Sequence, residues 1–167
     1  DVVRLPVTEM GCAAGVSGLI YAQNFLKSNP NKRIALVAVE SPTATFQLND
    51  HSMTNMVSAA IFGDGAACVL LSSEGDAKGP KIIGEEMYHF KDATHLMGFD
   101  LTNHGLKMIL DPAVPETIAE HFPKIVHPFL ERNGTSIKEV NHLIFHHNNF
   151  YFNASNFIYL KMEAFLF

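Results

Sequence analysis

Apolar positions along the chain switch between strand-like and helix-like spacing. Val3, Leu5 and Val7 alternate with other residues in the period of a short extended segment. From residue 13 to 27 the spacing changes. Val16, Leu19, Ile20, Phe25 and Leu26 recur among Ala13, Ala14, Gly15, Gly18 and Ala22, which predicts a helix apolar or small on nearly every side and therefore buried. Gly15 and Gly18 lower helix propensity, so they imply close approach of another element or of a substrate. S-N-P-N at 28–31 ends the helix, and R-I-A-L-V-A-V at 33–39 is a continuous apolar run of strand length. Such a run predicts a strand covered on both faces in an α/β sheet.

Residues 40–51 are polar and rich in turn formers, and 52–61 read as a short helix with Met53, Met56, Val57, Ala60 and Ile61 on one face. F-G-D-G-A-A-C-V-L-L at 62–71 lacks the Lys-Ser/Thr of a phosphate-binding loop, so it reads as a tight turn feeding a buried strand. A polar loop at 72–80 leads to an extended run at 81–90, which could pair with the preceding strand as a hairpin. Residues 92–105 show no clear period, and 106–110 form a short strand candidate.

A long helix is predicted from Val114, with Pro115 in its first turn, Glu116 at its positive end and a stripe of Ile118, Phe122, Ile125, Val126, Phe129 and Leu130. Pro123 and Pro128 predict a kink or a split. Ser136 with Glu139 fits a capping box, and H-L-I-F-H-H at 142–147 reads as another apolar strand.

Composition narrows the class. The chain has 167 residues, 47% hydrophobic and 17% charged, enough to bury the core of one domain. A net charge of −5 without a Lys/Arg cluster argues against nucleic acid or an anionic membrane surface as partner. No run approaches a membrane span or opens as a signal peptide, so a cytoplasmic setting is expected. Cys12 and Cys68 lack metal-ligand spacing, so neither a zinc site nor a disulfide framework is suggested, and Cys68 in its apolar run reads as inert.

The chemistry centres on T-E-M-G-C-A-A-G at 8–15, where an extended segment turns into a helix. Unpaired N–H groups of the first helical turn favour thiolate over thiol at Cys12, and small neighbours leave room for an approaching group. The residues leave two readings open: a reactive nucleophile, or a small buried hydrophobe.

Further motifs carry a family resemblance. R-L-P-V-T-E-M-G-C-A-A-G, R-I-A-L-V-A-V-E-S with T-A-T-F, A-A-I-F-G-D-G-A-A-C, G-F-D-L-T-N-H-G-L-K-M-I-L-D-P-A-V-P and I-F-H-H follow one another over about residues 4–146. In this order they resemble the type III polyketide synthases of the chalcone synthase kind, within the thiolase-like condensing enzymes. The ketoacyl synthase III enzymes share the cysteine and F-G-D-G elements, but the G-L-K-M-I-L-D-P-A-V-P segment resembles the polyketide synthases more closely.

The resemblance implies an α/β thiolase-like fold, with a partial condensing domain at 1–147 and an atypical tail at 148–167. It implies an acyltransferase that loads an acyl group from coenzyme A, decarboxylates malonyl-coenzyme A and joins the two by Claisen condensation. No cofactor is implied beyond these thioester substrates, and no metal; a homodimer is. Cys12 matches the nucleophile and His146 the histidine that supports decarboxylation. Phe62 matches the phenylalanine lining the passage to the cavity, and Thr45 a cavity-lining residue. Met108 stands where many members carry a second phenylalanine, a departure that implies a wider or softer cavity.

Two further departures accompany it. The first half of the duplicated fold is expected to be missing, and after His146 the sequence turns to Phe, Tyr and Asn, as in a truncated or frame-shifted end. None of Asn148, Asn149, Asn153 and Asn156 sits in the family's Gly-Asn motif, so the catalytic asparagine is unassigned. The expected outcome is acylation of Cys12 with little or no carbon–carbon bond formation. A non-catalytic fragment or assembly partner is the alternative from another class.

Overall fold

The computed structural model describes residues 2–8, 10–75, 78–142, 144 and 164–166. A 3-10 turn, Gly11–Ala13, runs into helix α1, Ala14–Ser28, and residues 29–32 turn the chain into strand β1, Arg33–Glu40. Strand β2, Gly65–Ser72, pairs with β1 antiparallel, from Arg33 opposite Ser72 to Glu40 opposite Gly65. Between them lie a 3-10 turn, Pro42–Thr45, and helix α2, Met53–Ile61. Ser52 starts α2 by accepting the Asn55 N–H on its hydroxyl at 3.3 Å.

The rest of the chain supplies strands β3, Ile82–Glu85, β4, Met97–Thr102, and β5, Gly105–Leu110, then helix α3, Val114–Arg132, a 3-10 turn, Ile137–Glu139, and strand β6, Ala164–Leu166. β3 pairs with β6 in parallel and β4 with β5 antiparallel, so the described strands form three two-stranded sheets.

Helix α1 packs on the β1–β2 hairpin through its small residues. A Cβ on Gly18 would lie 2.7 Å from Leu36 Cδ1, so the helix axis approaches β1 closely because residue 18 has no side chain. Ile20, Ala22 and Leu26 are buried, but Tyr21 and Phe25 are exposed. The helix is therefore open along the stripe that carries Tyr21 and Phe25, not covered all round as its composition predicted. Its opposite side reaches β3: Gln23 Nε2 donates to the Ile82 carbonyl at 3.3 Å and Lys27 Nζ to Glu85 Oε1 at 2.7 Å.

A second core gathers under α3, where Val126, Phe129, Leu130 and Val140 are buried with Phe122 and Ile137 packed beside them. The Ser136–Glu139 capping box is present and turns the chain back onto that core.

Several expectations are corrected. Residues 2–8 carry no strand assignment. Strand β1 is half-covered at Ile34 and Leu36, which face α1, whereas Val37 and Val39 are exposed; it is not covered on both faces. Strand β2 is likewise open, with Leu70 78% exposed and Cys68 exposed opposite Val37. β2 and β3 do not form a hairpin, since β2 takes β1 as its partner across the intervening turn and helix. Residues 97–102, read as irregular, are strand β4.

Helix α3 is one element despite Pro123 and Pro128. Each proline leaves the carbonyl of the residue four positions earlier without its helical N–H, at Ala119 and Lys124. Both of those residues are exposed, so water can satisfy the freed oxygens. His142 and Ile144 carry no strand assignment, and the remainder of 142–147 lies outside the described residues.

Candidate functional site

Cys12 sits in the 3-10 turn that starts α1, as the spacing predicted, and it is exposed. The buried-hydrophobe reading therefore falls. Gly11 enters the turn at φ +51°, a left-handed conformation that costs a residue with a Cβ about 1–2 kcal/mol. The turn is closed by the Ala13 N–H donating to the Met10 carbonyl at 3.2 Å. Among the described residues no side chain caps the start of α1 and no acidic residue lies in its first turn, where the helix carries partial positive charge. A Cβ at Gly15 would meet nothing within 4 Å, which leaves open space one turn from the thiol.

The direction of α1 places this thiol. Gly18 lies against Leu36, while near the helix end the Leu26 carbonyl accepts from Ser73 Oγ at 3.5 Å, beside the Ser72–Arg33 pair that closes the far end of the hairpin. The helix therefore runs antiparallel to β1. Going back from Gly18 to Cys12 covers about 9 to 12 Å of helix, and going forward from Leu36 to Glu40 covers about 13 Å of strand. The thiol end of α1 and the Glu40–Gly65 end of the hairpin thus lie at the same level.

That end of the hairpin carries two more of the predicted residues. Thr45 closes the 3-10 turn that follows β1, half-buried, with its hydroxyl donating to the Pro42 carbonyl at 3.0 Å. Phe62 ends α2, half-buried, just before Gly63 and Asp64, which lead into β2. Asp64 joins the two segments: its Oδ1 accepts the Thr43 N–H at 2.9 Å. The G-D-G motif thus carries no turn assignment and leads directly into a strand, and its carboxylate accepts from the 3-10 turn after β1.

Met108 reaches the group through β5. It is half-buried opposite Phe99, and the strand is attached to the Thr45 segment by Gln47, whose Nε2 donates to the Thr45 carbonyl at 3.2 Å and the Leu106 carbonyl at 3.3 Å. Asn55 supports Gln47, donating from Nδ2 to the Gln47 carbonyl at 2.8 Å and the Asp50 carbonyl at 2.7 Å. Asp50 in turn accepts the Ser52 N–H at 2.8 Å and lies 3.4 Å from Lys107 Nζ on β5. The Ser52 N–H, then the Ser52 hydroxyl and Lys107, hold the Asp50 carboxyl below its usual range.

The segments that carry Thr45, Phe62 and Met108 are therefore tied to one another by Asp64 and Gln47, with Cys12 level with the same end of the hairpin. His146 lies outside the described residues, as do Asn148, Asn149, Asn153 and Asn156. Sequence reasoning missed Asp64, Gln47 and Asn55. An aspartate between two glycines is a turn signal for Asp64, whereas the Gln47–Leu106 bond spans 59 positions and has no local signature. Among the described residues no group of three or more His, Cys, Asp or Glu side chains could hold a metal ion, and no helix is long and apolar enough to cross a membrane.

Comparison with known proteins bears on this arrangement. Residues 1–75 match the family described as chalcone and stilbene synthases, N-terminal domain, a span that includes Cys12, Thr45 and Phe62. The chain is 29% identical over 150 residues to a putative chalcone synthase of Bacillus subtilis, covering 86% of this chain and 41% of that protein. It is 31% identical over 151 residues to the 1,3,6,8-tetrahydroxynaphthalene synthase of Streptomyces peucetius, covering 87% and 40%. Among solved structures, the C-terminal type III polyketide synthase domain of a type I/III hybrid from Dictyostelium superposes with a TM-score of 0.78 at 26% identity, covering 86% of this chain and 42% of that one. The chain thus spans about two fifths of the length of the curated relatives it matches.

Proposed function

Because this chain is a homologue of the type III polyketide synthases, of the chalcone and stilbene synthase kind, we propose that Cys12 takes an acyl group from a coenzyme A thioester. The complete protein would extend that group with malonyl-coenzyme A. The observation that carries this reading is an exposed thiol at the uncapped start of α1, level with the end of the β1–β2 hairpin that bears Thr45 and Phe62.

The first half of the reaction needs few parts. The thiolate attacks the thioester carbonyl, the carbon–sulfur bond to coenzyme A breaks, and coenzyme A leaves as its own thiolate to take up a proton. The N–H groups at the start of α1 favour the attacking thiolate and the oxyanion that forms beside it. Thr45, Phe62 and Met108 would line the space for the acyl chain. Met108, unbranched and polarisable, lets that space adapt to more than one chain shape.

Extension demands more. Loss of carbon dioxide from the malonyl group leaves a carbanion whose charge must be met by positioned donors, and each such donor is commonly worth a hundredfold to a thousandfold in rate, roughly. His146 is the proposed donor, and no asparagine is assigned beside it. The proposal for the chain of residues 1–167 is therefore loading of Cys12 with little extension.

The test is to incubate the purified chain with a panel of acyl-coenzyme A starters and labelled malonyl-coenzyme A, following protein mass, released carbon dioxide and extended products. An acyl adduct on Cys12 with no product is the expected result. Multi-turnover polyketide formation would show that this chain supplies its own donors. Absence of any adduct in a folded sample would overturn the acyl-transfer reading.

A further inference from the structure

We propose that Gln47 is a positioning residue that sets the width of the acyl-binding space between Thr45 and Met108, an inference that rests on the acyl-transfer reading above. Its side-chain amide has two hydrogens, and the two carbonyls within reach are those of Thr45 at 3.2 Å and Leu106 at 3.3 Å. One nitrogen therefore bridges the main chain of the turn after β1 and the main chain of β5.

The amide lies against the start of β5. A Cβ at Gly105 would stand at ordinary contact distance, 3.4 Å, from Gln47 Nε2, so it is the backbone, at φ +108°, that favours glycine there. Leu106 and Met108 lie on the same face of β5, because side chains alternate along a strand. A shift of Leu106 relative to Thr45 thus carries Met108 with it.

Gln47 is itself held from behind by Asn55, which donates to its carbonyl at 2.8 Å from the first turn of α2. The link joins three elements through polar contacts that touch no substrate. Its effect on substrate is indirect, through the separation of the residues proposed to line the cavity. The ligand concerned is the acyl portion of a coenzyme A thioester, and chain length is the property being measured.

Two substitutions separate this role from general stability. Gln47→Ala removes the bridge, and Gln47→Glu keeps the size but turns a carboxylate, which has no hydrogen to donate, toward two carbonyl oxygens. The full chain would be treated with straight-chain acyl-coenzyme A thioesters of increasing length, and labelling of Cys12 followed by intact mass. Alkylation by iodoacetamide, too small to sense the cavity, serves as the reference.

Both variants are expected to raise the ratio of long-chain to short-chain labelling by roughly tenfold, the discrimination that about one methylene commonly carries in an apolar pocket. The iodoacetamide rate should stay at the parent value. An unchanged ratio in folded Gln47→Glu overturns the inference, as does an equal change toward every reagent, or failure of both variants to fold, which would make Gln47 a stability residue. If the parent chain is labelled by none of the thioesters while iodoacetamide modifies Cys12, the acyl-transfer reading fails first and takes this inference with it.

Discussion

Gly18 of α1 and Leu36 of β1 meet so closely that a Cβ on the glycine would stand 2.7 Å from a Leu36 methyl carbon, whereas Gly15 faces open space. The two glycines therefore respond differently to alanine. At Gly18 the new methyl must push aside the tip of the half-buried Leu36 side chain, which offsets part or all of a helix-propensity gain of about 1 kcal/mol. Gly15→Ala meets nothing and should raise stability by up to about 1 kcal/mol. Urea denaturation of the two variants against the parent chain should therefore rank Gly15→Ala as the more stable. Equal gains at both positions would mean that Leu36 yields at no cost.

Cys12 and Cys68 are both exposed, yet only Cys12 stands at a helix start, while Cys68 lies in mid-strand on β2. Acylation by a coenzyme A thioester should therefore be abolished in Cys12→Ala and retained in Cys68→Ala. Mass mapping of the adduct distinguishes the sites. An adduct of equal yield on Cys68 would assign the reactivity to exposure and leave no role for the helix.

Asp50 predicts an acid limb. Its carboxyl is held below the ordinary value, chiefly by the Ser52 N–H, so between the folded and the unfolded pKa the unfolded chain binds more protons. Its contribution is complete above the unfolded value of about 3.9 and fades as pH falls through the lower folded value. Stability measured from pH 7 down to pH 2.5 should fall more steeply at the acid end for the parent than for Asp50→Asn. Superimposable acid limbs would remove Asp50 from the account.

Phe129 anchors the core under α3 at 2% exposure, whereas Ile118 on the same helix is 40% exposed. Truncation to alanine should cost about 3–5 kcal/mol at Phe129 and clearly less at Ile118. Chemical denaturation of both variants gives the comparison, and equal losses would show that the buried cluster does not dominate this part of the chain.

What the sequence revealed follows from the range of each interaction. The start of α1 after Cys12 and the Ser136–Glu139 box were legible because they depend on neighbours within a few positions. Strand β4 was missed, although Met97, Phe99 and Leu101 alternate strictly; Gly98 and Asp100 between them are poor strand formers and masked the period. The two-residue connection Asn103-His104 into Gly105 at φ +108° was the available hairpin signal.

The partner of β2 was not legible at all. Pairing with β1 reaches across a turn and a helix, while pairing with β3 would have spanned one loop, and an apolar run fits either partner equally. The candidate site shows the same division. Its residues were found through motifs, but the bonds that gather them, Asp64 to Thr43 and Gln47 to Leu106, join positions that no short pattern connects.

The antiparallel course of α1 along β1 also gives the hairpin two ends with different tolerances. Cys12, Thr45 and Phe62 occupy one end, while the other holds the turn at 29–32, where Pro30, Asn31 and Lys32 are exposed. A few extra residues placed between Asn31 and Lys32 would lengthen the chain without touching Asp64, Gln47 or the thiol. The same insertion between Gly63 and Asp64 would displace the carboxylate that accepts from Thr43. An environment-sensitive dye tethered at the far turn would thus sit roughly 22 Å of helix away from the Cys12 sulfur, far enough to leave that sulfur unobstructed while it reports on how α1 settles against the sheet.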